Sequence, residues 1–149
     1  MKQIFLYVGH SNYGKSYALK ALTDGNSHKK STQINGKKIK VRKMSNDDDE
    51  NKLLNFVQDI KNSDYKYYVI AYCPKQEKSK NAKKILNILK EFGNLFFFVQ
   101  KNRYSNNEEI LPEEIDGLKK YGKVEILKGK IEYGERCEEF KKFIINNIK

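Results

Sequence analysis

Gly9, Gly14, Lys15 and Ser16 stand at the spacing G-x-x-x-x-G-K-S, with His10, Ser11, Asn12 and Tyr13 between the glycines and Tyr17 directly after. The chemistry this pattern suits is the binding of a phosphate chain. Gly9 and Gly14 let the backbone take conformations closed to residues with a Cβ, so that successive N–H groups from His10 to Ser16 can turn inward around phosphate oxygens. Lys15 brings a point charge for terminal phosphates, and Ser16 brings a hydroxyl for Mg²⁺. Residues 9–17 are therefore the expected phosphate-binding stretch.

A second place with chemical potential is the acidic run Ser45-Asn46-Asp47-Asp48-Asp49-Glu50. Asp47 with Glu50 three residues on reads as a capping box for a following helix. Cys73 and Cys137 both fall within apolar patterns, with no C-x-x-C and only His10 and His28 as imidazoles. This excludes a zinc or disulfide framework and makes Cys73 a structural thiol rather than a nucleophile.

These residues need a scaffold, and the chain supplies one of alternating type. The apolar run 4–8 predicts a strand in front of the phosphate loop, and Tyr17, Ala18, Ala21 and Leu22 predict the packed side of a helix behind it, stopped near Gly25. Asn35-Gly36 signals a tight hairpin joining strands near 30–34 and 37–44. Leu53, Phe56, Val57 and Ile60 form a helical stripe. The uniformly apolar run 67–73 predicts a strand covered on both faces and ended by Pro74. A helix with Ala82, Ile85, Leu86, Leu89 and Phe92, closed by Gly93, leads to a buried strand at 95–99. Pro112 opens a helix that Gly122 ends, 124–127 is a last strand, and Cys137, Phe140, Ile144 and Ile148 line a closing helix. Strands and helices in this order predict an α/β fold with a mostly parallel sheet of about six strands, one antiparallel edge strand, and helices on both faces. One domain over residues 1–149 is expected.

Of the ionisable residues, 30 are basic and 19 acidic, for a net charge of +11. The basic residues are 27 Lys and 3 Arg, spread along the chain, alongside 15 Asn and 14 Ile. Base readout and phosphate clamping favour Arg, so the surplus reads as a solvated surface in preference to a nucleic-acid site. Apolar runs are far too short to span a membrane, and a cytoplasmic protein is expected.

The order of phosphate loop, helix, Asn-Gly hairpin and three further strand–helix units resembles the Ras-like GTPase arrangement among P-loop NTPases. The likeness covers nearly the whole chain, although only its first motif is sharp. It implies a three-layer P-loop NTPase fold, with D-x-x-G after the hairpin; this chain has Met44-Ser45-Asn46-Asp47-Asp48-Asp49, with Asp47 the nearest match and no Gly. It implies N-K-x-D after the strand at 95–99, where Gln100-Lys101-Asn102-Arg103 keeps Lys101 to cover a base but lacks the Asp that would read guanine. An S-A-K element falls on Lys128-Gly129-Lys130, and a switch threonine on Thr23, Ser27 or Thr32. The implied function is binding of ATP or GTP with Mg²⁺, with slow hydrolysis or a nucleotide-dependent switch acting on a protein partner. A small-molecule or nucleotide kinase using Arg103, Arg136 or Arg42, and a non-enzymatic GTPase-like binding module, are the alternatives.

Overall fold

Five consecutive apolar residues, Ile4 to Val8, form the body of the first strand, β1 (Lys2–Val8), buried on both faces. The computed structural model describes residues 1–10, 13–75, 79–102, 109–127 and 133–149. Within them, β1 is followed by α1 (Lys15–Lys20), which tightens into a further helical turn over Ala21–Thr23. The antiparallel ribbon β2 (Ser31–Ile34) and β3 (Lys37–Arg42) turns at Asn35 (φ 52°) and Gly36 (φ 74°), the two positive dihedrals of the hairpin turn that Asn-Gly favours. Then come α2 (Glu50–Asp59), β4 (Tyr67–Tyr72), α3 (Ala82–Phe92), β5 (Gly93–Gln100), α4 (Pro112–Lys119), β6 (Gly122–Leu127) and α5 (Tyr133–Asn147).

The sheet runs β2-β3-β4-β1-β5-β6, parallel throughout except for the edge pair β2–β3. One core layer packs Leu53 and Val57 of α2, Ile85 and Leu89 of α3 and Ile115 and Leu118 of α4 on one face. The other packs Ala18 and Leu19 of α1 with Phe140, Phe143 and Ile144 of α5 on Phe5, Tyr7 and Phe98. The expected α/β architecture with helices on both faces is thus present. Chain direction explains the layering. The crossover from β1 runs toward the β2–β3 edge, whereas those after β3, β4 and β5 run the opposite way, and right-handed crossovers of opposite direction lie on opposite faces. The reversal occurs around β1, which places a crevice at its C-terminal end.

Several local expectations are corrected. Tyr17 is 66% exposed and Ala21 is also exposed; Lys15, Ala18, Leu19 and Leu22 are buried instead, so the packed stripe is turned from the expected one. Strand β3 ends at Arg42, short of Met44. Gly93 closes α3 as expected, its N–H donating to the Leu89 carbonyl, and also begins β5. Gly122 does not stop α4, which ends at Lys119, but begins β6, and at these two positions a Cβ would collide with the Lys2 and Leu95 carbonyls of the neighbouring strands. The α2 cap is Asp49, whose side chain accepts from the Lys52 N–H at 3.0 Å, and not Asp47. Among the described residues, no helix is long and apolar enough to cross a membrane.

Candidate functional site

The loop after β1 leaves the sheet at Gly9, whose N–H donates to the Tyr72 carbonyl of β4 (3.1 Å). A Cβ at Gly9 would press on Tyr13 Cβ at 3.2 Å and Lys15 Cγ at 3.3 Å, so the closed loop leaves little room for a side chain there. Gly14 enters α1 in the left-handed region (φ 81°), the conformation a Cβ disfavours. Ser11 and Asn12 lie outside the described residues. Ser16 and Tyr17 project outward from the first turn of α1, so their side chains are open to solvent at the loop.

Lys15 does not extend into solvent. Its ammonium donates to the His10 carbonyl at 2.8 Å and faces both carboxylate oxygens of Asp47 at 3.4 Å, with the two side chains only 5% and 4% exposed. Asp47 reaches it from the loop after β3, although β4 stands between β3 and β1. That span is bridged by Asn46. Its Nδ2 donates to the Cys73 carbonyl (2.8 Å) and its Oδ1 accepts from the Cys73 N–H (2.7 Å), which pins the acidic loop to the end of β4. Ser45 adds helix-like bonds from its carbonyl to the Asp48 and Asp49 N–H groups. Asp47 is therefore the partner of Lys15, and the carboxylate expected as a helix cap serves the loop instead.

The opposite side of the loop is held through its backbone. The Tyr13 carbonyl accepts from Arg136 (2.7 Å) and from Gln100 Nε2 (3.0 Å), and Gln100 Oε1 in turn accepts from the Tyr7 hydroxyl (2.8 Å). Arg136 is 1% exposed. Burial pushes the Tyr7 phenol far up, while the nearby Arg136 guanidinium pulls the other way, so this hydroxyl stays a donor at any ordinary pH. At the start of the loop, His10 Nε2 lies 2.8 Å from Glu114 Oε2, and Glu114 Oε1 caps α4 by accepting from the Leu111 N–H.

None of Asn46, Gln100, Arg136 and Glu114 was named by motif as a loop anchor. Signals existed for two of them: Gln100 is the polar end of an otherwise apolar strand, and Arg136 shares a helical stripe with Phe140, Phe143 and Ile144. The side of Asn46 that matters is set by a loop, which carries no periodicity, and Glu114 in the first turn of α4 reads as a helix-start carboxylate whatever it faces.

Lys101 follows Gln100 at the same end of the sheet. Its N–H donates to the Leu127 carbonyl and its ammonium lies 3.9 Å from Glu109, across the bridge between Asn102 and Glu109. Arg103 and residues 128–130 are outside the described residues. Thr23 spends its hydroxyl on the Lys20 and Asn26 carbonyls, and Thr32 on Leu22, so both serve local structure. Cys73 is fully buried, and desolvation raises its thiol above the usual range despite the opposing pull of Lys15; this is an unreactive structural thiol.

For a hard cation the available donors are the outward Ser16 hydroxyl and the Asp47 carboxylate. Among the described residues no group of three or more His, Cys, Asp or Glu is placed to hold a metal ion. This donor set fits Mg²⁺, which takes one or two protein oxygens beside phosphate oxygens and water, and not a metal that needs a full protein cage. A cavity of about 570 Å³ opens between α3 and α4, lined by Tyr72, Pro74, Leu86, Tyr121 and the loop-linked Glu114. No protein-family model matches the chain, and no curated protein matches it.

Proposed function

We propose that the chain is a P-loop protein that binds a nucleoside triphosphate, ATP or GTP, with Mg²⁺ and hydrolyses it slowly or uses it as a switch. The observation that carries this reading is the buried Lys15–Asp47 pair at the mouth of a glycine-shaped loop between strand and helix. A lysine so placed is neutralised by its own protein until a stronger anion arrives. Phosphate oxygens would replace the His10 carbonyl and share or displace the Asp47 carboxylate, while loop N–H groups line the chain. Ser16 and Asp47 would hold Mg²⁺, which supplies charge neutralisation at the terminal phosphates. Lys15 stabilises negative charge on the bridging and terminal oxygens. Lys101, at the end of β5, is the residue proposed to lie against the base.

The described residues that flank the loop are already bonded: Gln100 and Arg136 to Tyr13, Glu114 to His10. None is poised to orient a water, which supports slow turnover. A second reading, phosphoryl transfer to a small molecule, is favoured by one observation, the α3–α4 cavity beside Pro74 and Glu114. Phosphate release measured with Mg²⁺ and no acceptor tests the first reading. Steady release supports hydrolysis, release only when a small acceptor is supplied supports transfer, and tight triphosphate binding with neither supports a switch.

A further inference from the structure

The β2–β3 ribbon has two unlike faces. Ile34, Ile39 and Val41 point into the layer of α1 and α5. On the other face the register aligns Lys40 with Ser31 and Lys38 with Gln33. The core layer beneath α2, α3 and α4 takes its strand residues from β4, β1 and β5, with β6 packed at its margin, and none from β2 or β3. This polar half of the sheet surface is therefore left open beside α2.

Its lysines are not evenly solvated. Lys38 and Lys40 each hold their ammonium over the Tyr65 ring, 5.5 Å from its centre, and Lys40 also sits 5.7 Å from the centre of Phe56. Tyr65 and Phe56 are half-buried, so each ring keeps a surface near solvent. Directly adjoining is a cavity of about 430 Å³ lined by Lys38, Asp64, Tyr65, Lys66 and Tyr67, and Lys37 lies over Tyr67 at its edge. Lys38, Lys40 and Lys66 thus gather around Tyr65, opposed locally by Asp64 and Asp59, while Lys37 and Tyr67 belong to the other face of the sheet.

We infer that this surface binds single-stranded nucleic acid, with Tyr65 stacking a base and Lys38 and Lys40 moving from the ring to neighbouring phosphates. Charge complementarity selects a polyanion, and the ring faces favour one that carries flat bases over an acidic peptide or a duplex whose bases are stacked away. Lysine suits this mode because no base edge has to be read. The surface lies at the start of β3 and β4, at the opposite end of those strands from the phosphate loop, so it is independent of the triphosphate reading.

The test is fluorescence anisotropy of the full chain with a labelled 12-nucleotide oligo-dT, oligo-U, and a mixed-sequence duplex, between 50 and 200 mM KCl. Single strands of either sugar should bind more tightly than the duplex, with log affinity falling against log salt at a slope of about −2, as for roughly three phosphate contacts. Tyr65→Ala should weaken binding by about fivefold or more and Tyr65→Phe should not. Lys38→Glu with Lys40→Glu should abolish measurable binding. Tyr65→Leu keeps bulk without the π face and gives the same comparison if the alanine variant melts early. Equal or tighter duplex binding, wild-type affinity in both Tyr65→Ala and Tyr65→Leu, or no binding at 50 mM KCl would overturn the inference. The last result would leave the lysines as guards of the free β2 edge against strand pairing.

Discussion

On the β4 side of the loop between β1 and α1, Lys15 is held by an ion pair to Asp47, at 3.4 Å to each oxygen, delivered by a loop that Asn46 pins to Cys73. On the β5 side, the Tyr13 carbonyl is clamped by Arg136 and Gln100 at 2.7 and 3.0 Å, inside the protein. The first anchor holds a side chain by charge and, under the proposed function, is exchangeable, because a phosphate would offer Lys15 the same thing Asp47 does. The second holds backbone by short buried hydrogen bonds and has nothing to exchange with. Under the proposed function, such a loop would keep its shape on one flank while its charge is handed over on the other, as a preorganised anion site requires.

Variants on the two flanks should therefore behave differently. The largest effect is expected from Arg136→Met, which keeps the bulk but strips the Tyr13 carbonyl of a charged donor. A loss of about 3 kcal/mol is predicted, or roughly 6–12 °C in melting temperature, and added triphosphate should recover little of it. Asn46→Ala leaves the Cys73 N–H and carbonyl without their partner and should cost about 2 kcal/mol in urea titration. Because Asp47 loses its delivery, Mg²⁺-dependent triphosphate binding should weaken as well.

Asp47→Asn sharpens the contrast. It replaces the charge facing Lys15 by a neutral amide whose oxygen can still accept, and should cost about 1–2 kcal/mol without ligand. Pyrophosphate without Mg²⁺ should then raise the melting temperature of this variant more than that of the wild type, since the anion supplies the missing charge. An equal or smaller rise would mean that Lys15 is not the receiving group.

The smallest effect concerns Glu50, at the start of α2 on the exchangeable flank. The neighbouring Ser79 hydroxyl, and hydrogen bonds donated by the Asn81 N–H and Nδ2, hold its carboxyl below the ordinary range against desolvation. A carboxylate with a lowered folded pKa stabilises above its unfolded pKa and loses that contribution as pH falls through the folded value. Chemical denaturation of Glu50→Gln between pH 6 and pH 3 should therefore show a slightly shallower loss of stability on acidification than the wild type.

How much of this was legible beforehand depended on the kind of signal. Glycine spacing and the apolar run before it identified the loop, and alternating strand and helix patterns identified the layers, because both are local. Asp47 was visible as an acidic residue, but its role was not: three neighbouring aspartates compete for one helix cap, and only the fold decides that Asp49 takes it while Asp47 turns to Lys15. Tyr17 and Lys15 exchanged places for a similar reason. A short helix following a glycine in the left-handed region is rotated by that glycine, and hydropathy alone then assigns the wrong stripe. The clamp of Gln100 and Arg136 on Tyr13 joins residues 36 and more positions apart, beyond the reach of any spacing rule.

The measurement that bears most directly on the central claim is calorimetric titration of ATP and of GTP, with and without Mg²⁺, into the wild type and into Lys15→Ala of verified fold. The wild type should bind at least one triphosphate, more weakly without Mg²⁺, and Lys15→Ala should lose on the order of tenfold to a hundredfold in affinity, as removal of a desolvated charge-assisted contact implies. Unchanged affinity in the folded Lys15→Ala variant, or no triphosphate binding by the wild type, would contradict it.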